Sequence, residues 1–243
     1  MTEVEGMPLS GRVALVTGAG RGLGRAIATG MAHAGARVVL AARSSAGIEA
    51  LATALASAGR EALAIACDVR NAAQVDGLVR RAVDRYGAID ILVNNAGVFR
   101  IAPVADTDEA MWDAMLDTNL KGTFLMTRAT LPHVVARRGH ILNLVSTAGK
   151  HAFRNNAAYC ASKWGLLGFT NVLREEMRPH GVRVTALLPG AIDTPIWDGV
   201  EGQWDRSRMM RADTVARLVV EICTQPPEAS TDEVVLNPTA GRL

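Results

Sequence analysis

Tyr159 and Lys163 stand four residues apart in Tyr159-Cys160-Ala161-Ser162-Lys163, at the start of a segment with helical periodicity that runs to about residue 177. On a helix that spacing puts a phenol and an ammonium on one face, a turn apart. A free tyrosine titrates near about 10, too high for a base at neutral pH, and a fixed cation beside it favours the phenolate by about 1.4 kcal/mol per pKa unit. Such a pair can move a proton to or from a substrate oxygen. The same spacing on an ordinary helix is an amphipathic tyrosine beside a solvated lysine, so the reading depends on what else the chain supplies.

A second chemical element is Thr17-Gly18-Ala19-Gly20-Arg21-Gly22-Leu23-Gly24, between a β-branched run and a helical segment. Small residues there let the backbone approach a pyrophosphate, while the helix start supplies N–H donors and a positive dipole end. After the second apolar run the chain reads Ala41-Ala42-Arg43-Ser44. The acidic residue that would hold the ribose hydroxyls of NAD is missing, and Arg43, helped by Arg21, suits a 2′-phosphate. NADP(H) is the expected cofactor and NAD(H) the less favoured one. The alternative is a solvated Arg43 that merely begins the next helix.

These residues need a frame. Short apolar runs at 12–17, 37–41, 62–67, 89–94, 140–145, 183–188 and 233–236 alternate with helical segments, the first at about 22–34. That pattern predicts about seven parallel strands with helices on both faces, in one domain spanning 1–243. The runs at 89–94 and 183–188 are almost continuously apolar, as befits central strands buried on both sides. Ligands of such sheets bind beyond the C-terminal strand ends, where the chemically notable residues fall. From 191 to 211 the alternation lapses into a long connection, expected to be a substrate lid.

Composition narrows the partners. The 243 residues are 49% hydrophobic, ample for a large core, and 26 basic against 24 acidic residues are interspersed. No basic face for nucleic acid is expected. The N-terminal stretch lacks a signal-peptide pattern and no apolar run reaches membrane-spanning length, so a cytoplasmic protein is expected. Cys67, Cys160 and Cys223 lack paired spacing. They are read as reduced thiols, with no metal centre.

The glycine pattern is TGxxxGxG, and with the YxxxK pair it resembles the short-chain dehydrogenase/reductase family. Further matches are Asp68-Val69, Asn94-Asn95-Ala96-Gly97, Asn119, Ser146 thirteen residues before Tyr159, and Pro189-Gly190-Ala191-Ile192-Asp193-Thr194. The resemblance spans residues 17–194 and implies a doubly wound, Rossmann-like α/β fold. It also implies a catalytic tetrad of Asn119, Ser146, Tyr159 and Lys163, with hydride transfer between nicotinamide and a carbonyl or alcohol carbon. Tyr159 would handle the oxygen-bound proton and Ser146 would stabilise charge on that oxygen. Lys163 would bind the nicotinamide ribose and lower the tyrosine pKa, and Asn119 would hold a water linking Lys163 to solvent. Asp68 and Val69 would contact adenine, and Asn95, Ala96 and Gly97 would lie along the cofactor. Pro189, Gly190, Ile192 and Thr194 would hold the carboxamide. By the same resemblance, copies associate through long helices near 107–137 and 157–177, as a homotetramer or alternatively a dimer.

Substrate identity rests on loops. Val98, Phe99, Phe153, Trp197, Trp204, Met209 and Met210 suggest apolar walls; Arg100, Lys150 and Arg154 either meet an anionic substrate or are solvated, and His151 is read as a loop residue rather than a catalyst. The ending Val234-Val235-Leu236-Asn237-Pro238-Thr239 departs from the VDGG of many 3-oxoacyl thioester reductases. A small carbonyl or alcohol substrate is therefore expected, with the acyl-carrier thioester reductase as runner-up and a non-catalytic NADP-sensing regulator as a remote alternative.

Overall fold

The seven apolar runs become the strands of one parallel sheet. In the computed structural model, which describes residues 7–200, 202 and 204–241, the order of elements is β1 (Val13–Thr17), α1 (Gly22–His33), β2 (Arg37–Ala42), α2 (Ser45–Ser57), β3 (Ala62–Ala66), α3 (Ala72–Tyr86), β4 (Ile91–Asn94), α4 (Glu109–Leu116), α5 (Gly122–Ala136), β5 (His140–Leu144), α6 (Ala157–Met177), β6 (Arg183–Pro189), β7 (Ile192–Asp193), β8 (Met210–Arg211), α7 (Ala212–Cys223) and β9 (Glu233–Leu236). Part of the N-terminal stretch and, within the 191–211 segment, Glu201 and Gln203 lie outside the described residues, as do the last two.

The sheet order is β3-β2-β1-β4-β5-β6-β9, all parallel. Strand order reverses between β1 and β4, so a crevice opens beyond their C-terminal ends. β1 shows why both faces must be covered. Ala14 and Val16 pack with Ile27 and Met31 of α1, Ile48 of α2 and Val219 of α7. Val13 and Leu15 point the other way, into Leu78 of α3, Met126 of α5 and Leu173 of α6. A strand with no polar face has no stable position except between two helical layers.

Two departures from the sequence pattern matter for the site. The segment near 107–137 is not one helix: α4 and α5 are separated by a wider π-type turn, Asp117–Lys121. The 191–211 connection has its own structure, because β7 and β8 pair in parallel, Ile192 with Met210 and Asp193 with Arg211, and clip its two ends together.

Buried polar groups cross-brace the layers. Asn94 and Asn143 are register partners on β4 and β5. Asn94 Nδ2 donates to Asn143 Oδ1 (2.9 Å) and Thr127 Oγ1 (3.1 Å), and Asn143 Nδ2 donates to Thr170 Oγ1 (2.9 Å). At the opposite end of the sheet, Asp90 is 1% exposed and accepts from the Val13 amide (2.9 Å), Arg12 Nη1 (3.2 Å) and Arg137 Nε (2.9 Å). No described helix is long and apolar enough to cross a membrane.

The arginines of Asp90 are half exposed and keep water when it is lost, whereas the Val13 amide does not. Asp90→Ala should therefore destabilise the protein by about 2–3 kcal/mol, chiefly through the orphaned amide and lost charge-assisted bonds. Urea unfolding checks this, and a change below about 0.5 kcal/mol would contradict the assignment.

Candidate active site

The crevice predicted by the sheet topology is a cavity of about 640 Å³. Its floor at the β1–β4 junction is set by Thr17. The Thr17 hydroxyl donates to Val93 O (3.3 Å) and accepts from the amides of Asn95 and Ala96 (both 3.0 Å), while Asn95 Nδ2 reaches back to Thr17 O at 2.9 Å. The glycine loop is thereby fixed to the Asn94–Gly97 loop. Gly24 is required by this contact: a Cβ there would come within 2.3 Å of Asn95 Nδ2 and of Gly18 O. Gly18, at φ +67°, makes the turn out of β1.

A dinucleotide fits what remains. A Cβ at Gly20 would meet no protein atom closer than 3.6 Å, so its wall is open on the cavity. No side chain caps α1, which leaves the donors of its first turn for a ligand. Arg21 and Arg43 are exposed on the cavity rim, and neither guanidinium makes a hydrogen bond or ion pair among the described residues. Asp68 lies nearby with its carboxyl held below the usual carboxylate range, first by hydrogen bonds from Arg70 and also by the charge of Arg43. Every position assigned above to the dinucleotide, from Gly18 to Thr194, lines this one cavity.

At the other end, Ser146, Tyr159 and Lys163 meet. Ser146 follows β5 with φ 146° and ψ 159°, a region that side chains other than glycine rarely adopt. Its hydroxyl accepts from the Ala148 amide at 3.1 Å and stands close enough to the Tyr159 phenol to pull that group's pKa down. Lys163 Nζ donates to Leu144 O at 2.8 Å and lies 5.7 Å from the Tyr159 ring centroid. Burial pushes the phenol up to about 12, against the downward pull of the Ser146 hydrogen bond, and brings the Lys163 ammonium down to about 7. In the dinucleotide-free protein the phenol thus stands above its ordinary value, and the expected lowering by Lys163 is not among the causes of its shift. Loss of hydration is the leading cause for both groups, and each is shifted toward its neutral form.

Asn119 sits in the π-type turn, behind the cavity wall rather than on it. Its Oδ1 accepts the Val98 amide at 2.8 Å, and its Nδ2 donates to Val98 O and Ser162 Oγ, both at 3.0 Å. Ser162 Oγ donates in turn to Tyr159 O at 2.7 Å. Both amide hydrogens are spent on the protein, so the side chain clamps the Val98 loop to the Tyr159 helix.

The cations considered for an anionic substrate are elsewhere. Arg100, Lys150, His151 and Arg154 do not line the cavity, and Lys150 is ion-paired with Glu233. Met209 and Met210 are not on its wall either: Met209 is buried and Met210, in β8, packs against the core on the α1 and α7 face. Val98, Phe99, Phe153, Trp197 and Trp204 do line it. Sequence reasoning missed Thr17 as the clamp, Asn156, Asn237 and Pro238 as wall residues, and Ser162 as the link to Asn119. Only Thr17 carried a local signal, as the residue ahead of the first glycine. The cysteines are all free thiols, and no described group of acidic, histidine or cysteine side chains could hold a metal.

A doubly wound sheet with a glycine loop at its switch point and a serine, tyrosine and lysine converging at the same crevice defines a dinucleotide-dependent oxidoreductase site. The short-chain dehydrogenase family model matches residues 12–203, and the chain belongs to the short-chain dehydrogenase/reductase family, whose members act on CH–OH and C=O groups. It is 38% identical over 239 residues to a sepiapterin reductase of Chlorobaculum tepidum, covering 95% of this chain and 98% of that one. Its fold matches a metagenomic short-chain oxidoreductase solved in complex with NADP, with a TM-score of 0.84, 38% identity and coverage of 96% and 99%. It also matches a 3-ketoacyl-(acyl-carrier-protein) reductase of Brucella melitensis solved with NADH, with a TM-score of 0.86, 31% identity and coverage of 96% and 99%.

The Lys163 position has a signature in stability. Its folded pKa of about 7 lies below the ordinary 10.5, so between those values the unfolded chain binds a proton that the folded chain lacks, and stability rises with pH. Tyr159, raised from 10.0 to about 12, acts oppositely in its own window, where stability falls as pH rises. Lys163→Met should remove the rising component between pH 7 and 10.5 and stabilise the dinucleotide-free protein most below pH 7. Denaturant titrations across pH compare the two proteins; an unchanged difference at all pH values would refute the buried neutral lysine.

Proposed function

We propose that the protein is an NADP(H)-dependent reductase/dehydrogenase of small carbonyl/alcohol substrates, with Tyr159 as its acid/base. The observation that carries this reading is the meeting of the Ser146 hydroxyl and the Tyr159 phenol at one end of a cavity whose other end bears the glycine loop and the unpaired Arg21 and Arg43. The dinucleotide, when bound, supplies the hydride for carbonyl reduction or accepts it from the alcohol. Tyr159 gives its proton to the substrate oxygen, and Ser146 donates a hydrogen bond to the same oxygen as charge develops there. A phenol held neutral by burial carries the proton that a carbonyl oxygen needs on reduction. Lys163, anchored on Leu144 O beside the Tyr159 ring, would hold the nicotinamide ribose, and Asn119 positions the Tyr159 helix through Ser162.

The preference for NADP over NAD is supported by the absence of an acid after β2 and by two exposed guanidiniums on the adenosine side of the cavity. Segment 191–211 serves as the lid, its ends clipped by β7 and β8 and its middle held by Arg206, which bridges Asp193 (3.1 Å) and Asp198 (2.6 Å). Assembly through α5 and α6, as a tetramer or a dimer, is supported by the exposed Phe124, Trp164 and Val172 on those helices.

A screen following NADPH and NADH absorbance over ketones, aldehydes, 3-oxo esters and acetoacetyl thioesters tests the reaction. Tyr159→Phe should lose about a hundred- to ten-thousand-fold in kcat while still binding the dinucleotide. Near-normal turnover would refute its role. Arg43→Asp should shift the NADP/NAD ratio of kcat/KM towards NAD by about tenfold or more, the scale of a lost charge-assisted phosphate contact. An unmoved ratio would overturn the cofactor assignment.

A further inference from the structure

The chain is poor in aromatic residues, with four Phe, four Trp and two Tyr among its 243 residues, yet five of those ten line the one cavity. They form a file. The Phe99 ring stands edge-to-face against Tyr159 at 4.7 Å and 69° between planes, and edge-to-face against Trp197 at 5.3 Å and 71°. Trp197 meets Trp204 at 4.8 Å and 47°, and Phe153 completes the wall. The file runs from the phenol outward along the 191–211 segment. Trp197 is fixed by donating its Nε1 hydrogen to Ile192 O at 3.0 Å, so its face is held rather than free to swing.

Charge is distributed the other way. Of the described side chains that line the cavity, the charged ones are Arg21, Arg43 and Asp68 around the glycine loop, and Lys163 beneath the phenol. Among the described residues, the outer walls near the aromatic file carry no ionic side chain. A carboxylate or phosphate on the substrate would lose its hydration there without a partner, whereas a flat apolar ring would exchange water for ring faces and edges.

We propose that Phe99, Trp197 and Trp204 form a slot that selects substrates whose carbonyl is attached to a planar aromatic or heteroaromatic ring, with the ring lying along the file and the carbonyl oxygen at Ser146 and Tyr159. This deepens, and rests on, the carbonyl-reductase reading. The carbonyl carbon gains the hydride, the oxygen gains the Tyr159 proton, and the phenol recovers a proton from water, so one ketone, one reduced dinucleotide and one proton give one alcohol and one oxidised dinucleotide. Ring contacts of this kind are worth about tenfold in affinity for one or two partners.

Acetophenone and cyclohexyl methyl ketone share a carbonyl and a carbon count and differ in the ring. Their binding to the NADP⁺-saturated protein, where no hydride is available to transfer, is measured by calorimetry beside NADPH-dependent turnover of each. The slot predicts about tenfold tighter binding of acetophenone, with the preference lost in Trp197→Leu and in Phe99→Leu and kept in Trp197→Phe. Equal binding of the two ketones, binding of neither at millimolar concentration, or a preference untouched in both leucine variants overturns the slot. Tighter acetophenone binding without turnover of either ketone upholds the slot and counts against the reductase reading. Equal kcat/KM and equal affinity for the two would uphold the reaction and overturn the slot.

Discussion

The hydroxyl of Thr17 has one hydrogen and two lone pairs, and all three are used: Val93 O takes the hydrogen, and the amides of Asn95 and Ala96 fill the lone pairs. Those bonds join the ends of β1 and β4 at the position where strand order reverses. Everything placed in the crevice depends on that junction. The glycine loop leaves β1 from it, the Val98–Phe99 segment leaves β4 from it, and Gly24 packs against its Asn95 side chain with no room for another atom. A buried hydroxyl with every bond satisfied is geometrically demanding, which makes it a suitable anchor for a site built from two loops.

The second constraint is dehydration at the Tyr159 end. Placing a phenol and an amine together out of water raises one pKa and lowers the other, so both groups favour the neutral state in the dinucleotide-free protein. Around the pair the backbone is held by less obvious bonds. Ser146 occupies an unfavourable φ to present its hydroxyl, and the Asn119–Ser162–Tyr159 series ties the helix carrying the phenol to the loop carrying Phe99. Orientation is over-determined where proton transfer requires it.

The two ends of the cavity are chemically unlike. The glycine-loop end has cations and helix donors and suits phosphates; the outer end has rings and, among the described residues, no ionic groups. Since the scaffold is common to proteins acting on different substrates, that asymmetry rather than the sheet is where selectivity resides.

The sequence by itself determined the sheet and the positions of its chemistry. Continuous apolar runs such as 89–94 admit only a doubly covered strand, the spacing of Tyr159 and Lys163 admits only one helical face, and the glycine series and the missing acid after β2 depend on neighbours in the chain. Each is local, so each was legible. Tertiary structure decided what depends on residues far apart. Burial, not the adjacent lysine, governs Tyr159, because desolvation is set by everything packed around the phenol. Asn119 became a clamp because Val98 and Ser162, twenty-one and forty-three residues away, arrived on either side of it. Met210 packs into the core rather than onto the cavity wall where β8 pairs with β7, a register fixed across eighteen residues of chain. The aromatic file exists only after the β4 loop, α6 and the 191–211 segment converge, since ring–ring geometry has no signature in the spacing of Phe99, Tyr159, Trp197 and Trp204 along the sequence.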